Sequence, residues 1–196
     1  MNFLAHAYLS FNQPDILVGN MISDFVKGKK KLDYSIAVQQ GIVLHRQIDA
    51  FTDAHEATKE ARHFLKPAVG LYSGAFVDVA YDHFLANDVN EFTDDSLASH
   101  AADAYSVLSN YTGVLPPIFQ QMFPYMQSQN WLYNYKSMSG TQSSFGGVAK
   151  RAQYLTSSDE VFELFEKHYS ELRNCYNNFF PFVKAFSFQQ IEQLQK

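Results

Sequence analysis

The sequence has one cysteine, little glycine and proline, and no long apolar run. Its 196 residues include nine glycines and six prolines, which argues against collagen-like, linker-rich and many-turned β chains. Cys175 alone excludes a disulfide framework and a cysteine-based zinc site. No stretch approaches the ~20 consecutive apolar residues of a membrane span, and the N-terminal segment lacks the features of a secretory signal. We therefore expect a protein of the reducing cytoplasm that has no membrane partner.

Hydrophobic and aromatic residues, by contrast, are plentiful. They make up 46% and 16% of the chain, which excludes intrinsic disorder. A chain of this length hides roughly 70% of its extended surface on folding, and its size suits one domain. The net charge is −5. We expect no nucleic-acid partner, because proteins that bind nucleic acids are usually basic.

Apolar residues recur with the spacing of α-helices, and no segment alternates as a strand does. The pattern predicts an all-α fold with a single domain over residues 1–196. The expected caps are Asp33 for a helix over 34–51 and Thr52 or Asp53 for the next helix, which should end before a proline at position 67. The polar stretch Ser137–Gly147 predicts a loop, and Ser157–Glu160 predicts a capping box. The other expected helices cover 2–9, 15–26, 68–87, 93–111, a short stretch after 116, and 161–179.

Two aspartates carry the only formal charges in the apolar segment Val69–Ala86. Asp78 and Asp82 lie four residues apart, so they share one face of the predicted helix. Burying unpaired carboxylates is strongly unfavourable, so a metal or cations from other helices must compensate them. His83 follows directly and is a further candidate. The alternative is an exposed acidic face with His83 in the core.

A second polar stripe lies earlier in the chain. His45, Asp49 and Asp53 repeat every four residues, and a histidine and an aspartate at this spacing can ligate one metal ion. Arg46 lies beside the stripe and His55 follows it. The alternative is a solvated face on which Arg46 pairs with an aspartate and Asp53 caps the next helix.

His6 and Asp24 are isolated polar residues in two apolar segments near the N-terminus. Taken alone, such a histidine is more often a buried core residue, and an aspartate near a helix end is often simply exposed. Both become candidate site residues only when they are considered together with the two polar stripes.

The order and spacing of these groups resemble the bacterial acyl carrier protein phosphodiesterases across the first half of the chain. The resemblance is carried by four stretches: Met1-Asn2-Phe3-Leu4-Ala5-His6; Gly19-Asn20 with Asp24-Phe25; Gly41-Ile42 leading to Leu44-His45-Arg46, Ile48-Asp49 and Phe51-Thr52-Asp53-x-His55; and Asp78-x-x-Tyr81-Asp82-His83-Phe84-Leu85-Ala86. Such a resemblance implies an all-helical enzyme, distantly similar to the HD-type metal-dependent phosphohydrolases. It also implies removal of 4′-phosphopantetheine from holo-acyl carrier protein with a divalent metal, typically Mn²⁺.

On this basis we expect a metal-dependent phosphodiesterase whose partner is holo-acyl carrier protein. Aspartates and histidines without cysteine suit Mn²⁺ or Mg²⁺. The expected metal ligands are Asp24, His45, Asp78 and Asp82, with His6, Asp49 and His83 in or around the ligand set. Asp24 is also an expected catalytic residue. Arg46 is expected to stabilise the negative charge that develops during the reaction, and His55 or His83 is expected to transfer a proton.

The densest group of positive charges is Lys27, Lys29, Lys30 and Lys31, which we call the lysine patch. Because acyl carrier proteins are acidic, this patch is the expected docking surface; the alternative is an ordinary solvated loop. Two further functions stay open at this point. One is an HD-like phosphohydrolase acting on a nucleotide or other small phosphoester, and the other is a helical binding protein without catalytic activity.

Overall fold

Eleven α-helices account for most of residues 1–195, which is the part of the chain that this computed structural model describes, and none of these residues forms a strand. The predicted all-α class is therefore confirmed. None of the helices in this range has both the length and the apolar character that crossing a lipid bilayer requires. The helices are α1 Phe3–Tyr8, α2 Pro14–Ile22, α3 Ile36–Ala54, α4 Glu56–Val69, α5 Ser73–Ala86, α6 Asp94–Asn110, α7 Pro117–Ser128, α8 Trp131–Asn134, α9 Met138–Arg151, α10 Asp159–Lys167 and α11 Tyr169–Leu194.

Helices α2 and α3 form the most extensive helix pair, and two glycines make their close approach possible. A β-carbon on Gly19 would lie 2.1 Å from the carbonyl oxygen of Val38, and one on Gly41 would lie 2.3 Å from that of Ile16. Any larger residue at either position would force the helices apart. The contact brings the polar residues of α2 next to those of α3.

Helix α1 is attached to α5 through a buried carboxylate. Asp82 on α5 accepts hydrogen bonds from the backbone N–H groups of Asn2, Leu4 and Ala5 at 3.2, 2.7 and 3.3 Å. These N–H groups belong to the first turn of α1, where no carbonyl within the helix can accept them. The long helix α11 packs against α3, α4 and α5 and supplies aromatic core residues such as Phe179, whose ring stacks on Tyr81.

The boundaries around α3 and α4 differ from those expected. Ser35, not Asp33, caps α3, because its side chain accepts a hydrogen bond from the backbone N–H of Val38. His55 takes the place of Thr52 or Asp53 as the cap of α4. Helix α4 also continues through Pro67; because Pro67 lies in the last turn, its missing N–H removes a single helical hydrogen bond.

The predicted loop over residues 137–147 is wrong. This stretch forms most of α9, and Ser137 caps it by accepting a hydrogen bond from the N–H of Gly140. Phe145 is fully buried and packs against Phe76, so tertiary burial outweighs the low helix propensity of serine and glycine.

Two further expectations fail near the C-terminus. Ser157 accepts a hydrogen bond from the backbone N–H of Asp159 at 3.0 Å, but neither it nor Ser158 forms the reciprocal pair with Glu160 that the expected capping box requires. The apolar stripe 161–179 is divided at His168 between α10 and α11. Helix α11 then continues through Pro181 instead of ending before it.

Candidate metal centre

Helices α1 and α3 bring two histidines and an aspartate into one group, which we call the His–Asp cluster: His6, His45 and Asp49. The imidazole rings of His6 and His45 are stacked, with centroids 3.9 Å apart and planes 17° from parallel. Their Nε2 atoms lie 3.3 and 3.1 Å from the two carboxylate oxygens of Asp49. One ligand atom from each residue can be chosen so that all three lie within 4.8 Å of one another.

Asn20 on α2 orients both imidazoles. The Nδ1 of His6 donates to the Asn20 side-chain oxygen, and the Nδ1 of His45 donates to the Asn20 backbone oxygen, each at 2.7 Å. The amide nitrogen of Asn20 in turn donates to the backbone oxygen of His6 and to Ser10, which fixes the orientation of the amide. Both Nε2 atoms are thereby directed toward Asp49. Histidines that bind metals are commonly held in this way through the other ring nitrogen.

The three groups of the cluster differ in charge. Burial opposes the charged form of His45, but hydrogen bonds to Asp24 and Asp49 raise its pKa to about 9. Burial and the neighbouring charge of His45 lower the pKa of His6 to about 4. Burial alone would raise the pKa of Asp49, but the hydrogen bond from His45 and the charge of the Met1 amino group hold it far below its usual value. The cluster therefore contains a carboxylate, one cationic imidazole and one neutral imidazole.

These residues fit a divalent cation. The Nε2 atom of His6 is buried and has no hydrogen-bond partner, which leaves its lone pair directed at the cluster. Two imidazole nitrogens and a carboxylate form a donor set without sulfur, and such a set suits hard or borderline divalent ions. Asp24 lies 3.1 Å from the Nε2 of His45 and its side chain is 74% exposed, so it can supply a further oxygen from the solvent side.

Asp78 lies at the edge of the cluster and is paired with a cation. The amino group of Met1 lies 2.8 Å from a carboxylate oxygen of Asp78 and 3.6 Å from one of Asp49. Burial opposes the charge on this amine, but Asp78 and Asp49 raise its pKa to about 10. Burial raises the pKa of Asp78 and the amino group opposes this. A cation from outside α5 therefore compensates Asp78.

Asp82 faces a different set of partners. It is fully buried, and it accepts its hydrogen bonds from the backbone N–H groups at the start of α1. Burial raises its pKa to about 7, while the Met1 amino group and these N–H groups favour the carboxylate. The structure thus places Asp82 as a cap for α1.

The other two histidine candidates are also engaged elsewhere. The Nδ1 of His83 donates to the backbone oxygen of Tyr135 at 2.8 Å, and its Nε2 lies 2.9 Å from the hydroxyl of Tyr169. The Nδ1 of His55 accepts a hydrogen bond from the backbone N–H of Ala57. Within residues 1–195 neither imidazole hydrogen-bonds to or stacks on the His–Asp cluster.

The lysine patch and Arg46 follow two residues of the site, Asp24 and His45, closely in the chain. The patch begins three residues after Asp24 with Lys27, and its other three lysines lie on the 3₁₀ helix Gly28–Asp33; all four are largely exposed. Arg46 is exposed and donates to the backbone oxygen of Val26 at 3.1 Å. Leu32 and Ile36 are 62% and 77% exposed beside these charges. The exposed segment that follows Asp24 in the chain is therefore both basic and apolar.

Sequence reasoning assigned no role to Asn20. One signal was present, since Asn20 is an amide within the apolar stretch of α2, and a buried amide must find hydrogen-bond partners. What the sequence could not show is that both partners are histidines of the same site.

Comparison with known proteins assigns the chain to a family. The family model described as acyl carrier protein phosphodiesterase matches residues 1–183. A protein of Photorhabdus laumondii with that name is 30% identical over 184 residues, which cover 93% of each chain. The proteins of that name from Salmonella dublin and Klebsiella pneumoniae are each 31% identical; the matches cover 94% and 92% of this chain and 96% and 94% of theirs.

No solved structure matches the chain, so the similarity to HD-type phosphohydrolases stays a prediction. The family match spans every residue of the His–Asp cluster and most of the fold around it. The chain therefore belongs to the acyl carrier protein phosphodiesterase family.

Proposed function

We propose that the protein hydrolyses the phosphodiester that joins 4′-phosphopantetheine to a serine of holo-acyl carrier protein. The observation that carries this proposal is the His–Asp cluster, in which a buried imidazole nitrogen without a hydrogen-bond partner faces a carboxylate. Its occurrence in a chain of this family supports the reaction class and the substrate.

The divalent ion that we propose is Mn²⁺ or Mg²⁺, held by His6, His45 and Asp49, with Asp24 and Asp78 at the edge of the site. When bound, such an ion supplies Lewis-acid activation of a phosphoryl group and of a water molecule. Asn20 accepts hydrogen bonds from the Nδ1 atoms of both imidazoles, so both Nε2 atoms face the ion. His45, which is cationic without metal, would release its Nε2 proton when the ion binds.

The protein's own charges support binding of a phosphodiester near Asp24. Arg46 is exposed there, and its guanidinium can stabilise negative charge that develops on the phosphoryl oxygens. The proton-transfer roles expected of His55 and His83 stay predictions, because both imidazoles already hydrogen-bond elsewhere. Likewise, the metal-ligand role expected of Asp82 stays a prediction.

We also propose that the lysine patch docks the carrier. The whole chain carries a net charge of −5, so an acidic partner needs a local basic surface, and the patch lies beside Asp24. Leu32 and Ile36 add exposed apolar contacts. Electrostatic complementarity of this kind mainly accelerates and orients association.

The function is tested by incubating purified protein with holo-acyl carrier protein and Mn²⁺ and measuring the intact mass of the carrier. We expect conversion to the apo mass, its loss after chelation, and its return when metal is added. A panel of nucleotides is assayed in parallel. Turnover of nucleotides with the carrier left intact would favour the HD-like alternative. The absence of both turnover and metal binding in calorimetry would favour the non-catalytic alternative.

Docking is tested by charge reversal of Lys29, Lys30 and Lys31 to glutamate. We expect KM to rise severalfold and to lose much of its salt dependence, with a smaller change in kcat. The matched control reverses three exposed lysines on α4 and α10, which gives the same change in net charge: Lys59, Lys66 and Lys167. An equal rise in KM in both variants would remove the patch from the docking proposal.

A further inference from the structure

A cavity of about 170 Å³ lies where the start of α1 meets α8 and α9. Asn2 and Phe3 form one side, and Trp131, Ser144 and Arg151 are among the residues that line the others. We call this cavity the Trp131 pocket. It includes no residue of the His–Asp cluster or of the lysine patch.

We propose that the Trp131 pocket binds the pantetheine arm of the substrate, an inference that rests on the proposed function. The arm is the part of the prosthetic group that extends from the phosphate away from the carrier. The phosphodiester joins the serine to a second group, and the pocket would thus determine which second group the enzyme accepts.

The pocket and the lysine patch lie at opposite ends of a series of contacts through the cluster. Asp24, which precedes the patch, lies 3.1 Å from His45, and His45 lies 3.1 Å from Asp49. Asp49 lies 3.6 Å from the amino group of Met1, and the next residue, Asn2, lines the pocket. A phosphodiester at the cluster would therefore lie between the docking surface and the pocket in this series of contacts. This order matches the two groups that the phosphate joins, a protein serine and the arm.

The lining of the pocket suits an arm that alternates short apolar segments with amides. The indole of Trp131 is half-buried and offers an apolar face, whereas Asn134 and Ser144 offer hydrogen-bonding groups. Arg151 is exposed and adds a cationic donor. The volume of about 170 Å³ is below the ~300–1,000 Å³ of pockets that enclose whole drug-sized ligands, so the pocket would hold a part of the arm and leave the rest outside.

Two variants place a phenyl ring at the wall of the pocket. A β-carbon on Gly147, which lines the pocket, would meet no atom within 4 Å, so Gly147→Phe adds a ring there. Ser143→Phe adds the same ring from an exposed position in the wall. Gly113 is equally open and lies in the exposed turn before α7, so Gly113→Phe is the matched control. Melting temperatures establish that each variant is folded.

Trp131 is the only tryptophan of the chain, so its fluorescence reports directly on this pocket. Titration with 4′-phosphopantetheine should change the emission of Trp131 saturably, and inorganic phosphate should not. Gly147→Phe and Ser143→Phe should abolish the change and lower kcat/KM for the holo-carrier at least tenfold. Gly113→Phe should preserve both.

The outcomes separate this proposal from the proposed function. Hydrolysis of the holo-carrier at the wild-type rate by both folded blocking variants, or the absence of any Trp131 response in an active enzyme, would overturn the arm site and leave the function intact. A saturable response to 4′-phosphopantetheine that both blocking variants lose, in a protein that leaves the holo-carrier unchanged, would support the arm site and reject the function.

Discussion

The polar side chains of the His–Asp cluster differ from those of α5 in whether all of their hydrogen-bonding atoms have partners within the protein. On α5, Asp82 accepts three backbone N–H groups and both ring nitrogens of His83 have partners. In the cluster, the Nε2 of His6 has no hydrogen-bond partner, and the Asp24 carboxylate is largely exposed. Both groups looked equally functional as patterns of aspartate and histidine. The comparison indicates that an unpartnered imidazole nitrogen facing a carboxylate, and not the residue types alone, distinguishes the candidate site.

The sharpest test of this difference is Asp49→Asn. An amide cannot replace the carboxylate that both imidazoles face, so we expect turnover of the holo-carrier to fall on the order of a thousandfold. The melting temperature should fall as well, because His45 and the Met1 amino group lose a charged partner, so activity is compared at a temperature at which the variant is folded. Asp53→Asn, one turn further along α3 and paired with Arg62 at the surface, is the control and should retain activity. Metal affinity is measured for both by calorimetry. Normal activity of Asp49→Asn would refute the cluster as the metal site.

The next largest effect is expected for Asp82→Ala. This change leaves three N–H groups of α1 without an acceptor, so the free energy of unfolding should fall by about 3 kcal/mol. Asp82→Asn keeps a side-chain oxygen as acceptor and should lose less. Denaturant unfolding measures both. If Asp82→Ala unfolds like the wild type and yet has no activity, the capping role assigned to Asp82 is wrong and the role expected from the sequence regains support.

The variant Asn20→Leu tests how much the orientation of the imidazoles contributes to metal affinity, because it leaves all of the proposed ligands in place. Without the side-chain oxygen of Asn20 the Nδ1 of His6 loses its acceptor, and we expect metal affinity to fall about 10- to 100-fold. Asn87→Leu, which removes two hydrogen bonds at the end of α5, is the matched control. It should lower stability without changing metal affinity. Equal losses of affinity in both variants would show a general loss of stability.

The smallest effect on activity is expected for His83→Gln. Glutamine can replace only part of the hydrogen bonding to Tyr135 and Tyr169, so stability should fall by about 1 kcal/mol while kcat changes little. Steady-state kinetics on the holo-carrier and a thermal melt are measured on the same preparation. A large fall in kcat at unchanged stability would instead establish the proton-transfer role that the sequence suggested for His83.

Helices with strong local signals were predictable from the sequence. Thr93 was expected to start a helix and does so, with a reciprocal hydrogen bond to Ser96. Helix α9 was missed because its signal is tertiary: Phe145 and Thr141 are buried against other helices, although the local sequence is rich in serine and glycine. Single-sequence periodicity does not contain that information.

The candidate site was predictable only where its residues are close in sequence. His45 and Asp49 lie four residues apart on one helix, so their proximity follows from helical geometry. The environment of Asp82 did not follow, because its partners are backbone N–H groups of α1 and carry no side-chain signature. The position of His6 next to His45 depends on how α1 packs, which the sequence pattern does not define.

The attachment of α1 to α5 has a consequence for the order in which the site assembles during folding. The contact that joins Asn20 to His45 closes a loop of 25 residues, whereas the contact that holds Leu4 to Asp82 spans 78 residues. The longer closure costs about 1 kcal/mol more in chain entropy, and contacts distant in sequence generally form later. We therefore expect the pair α2–α3 to form early and His6 to reach the cluster only once α5 has folded onto α1. Metal capture would then report the completion of folding and not its beginning.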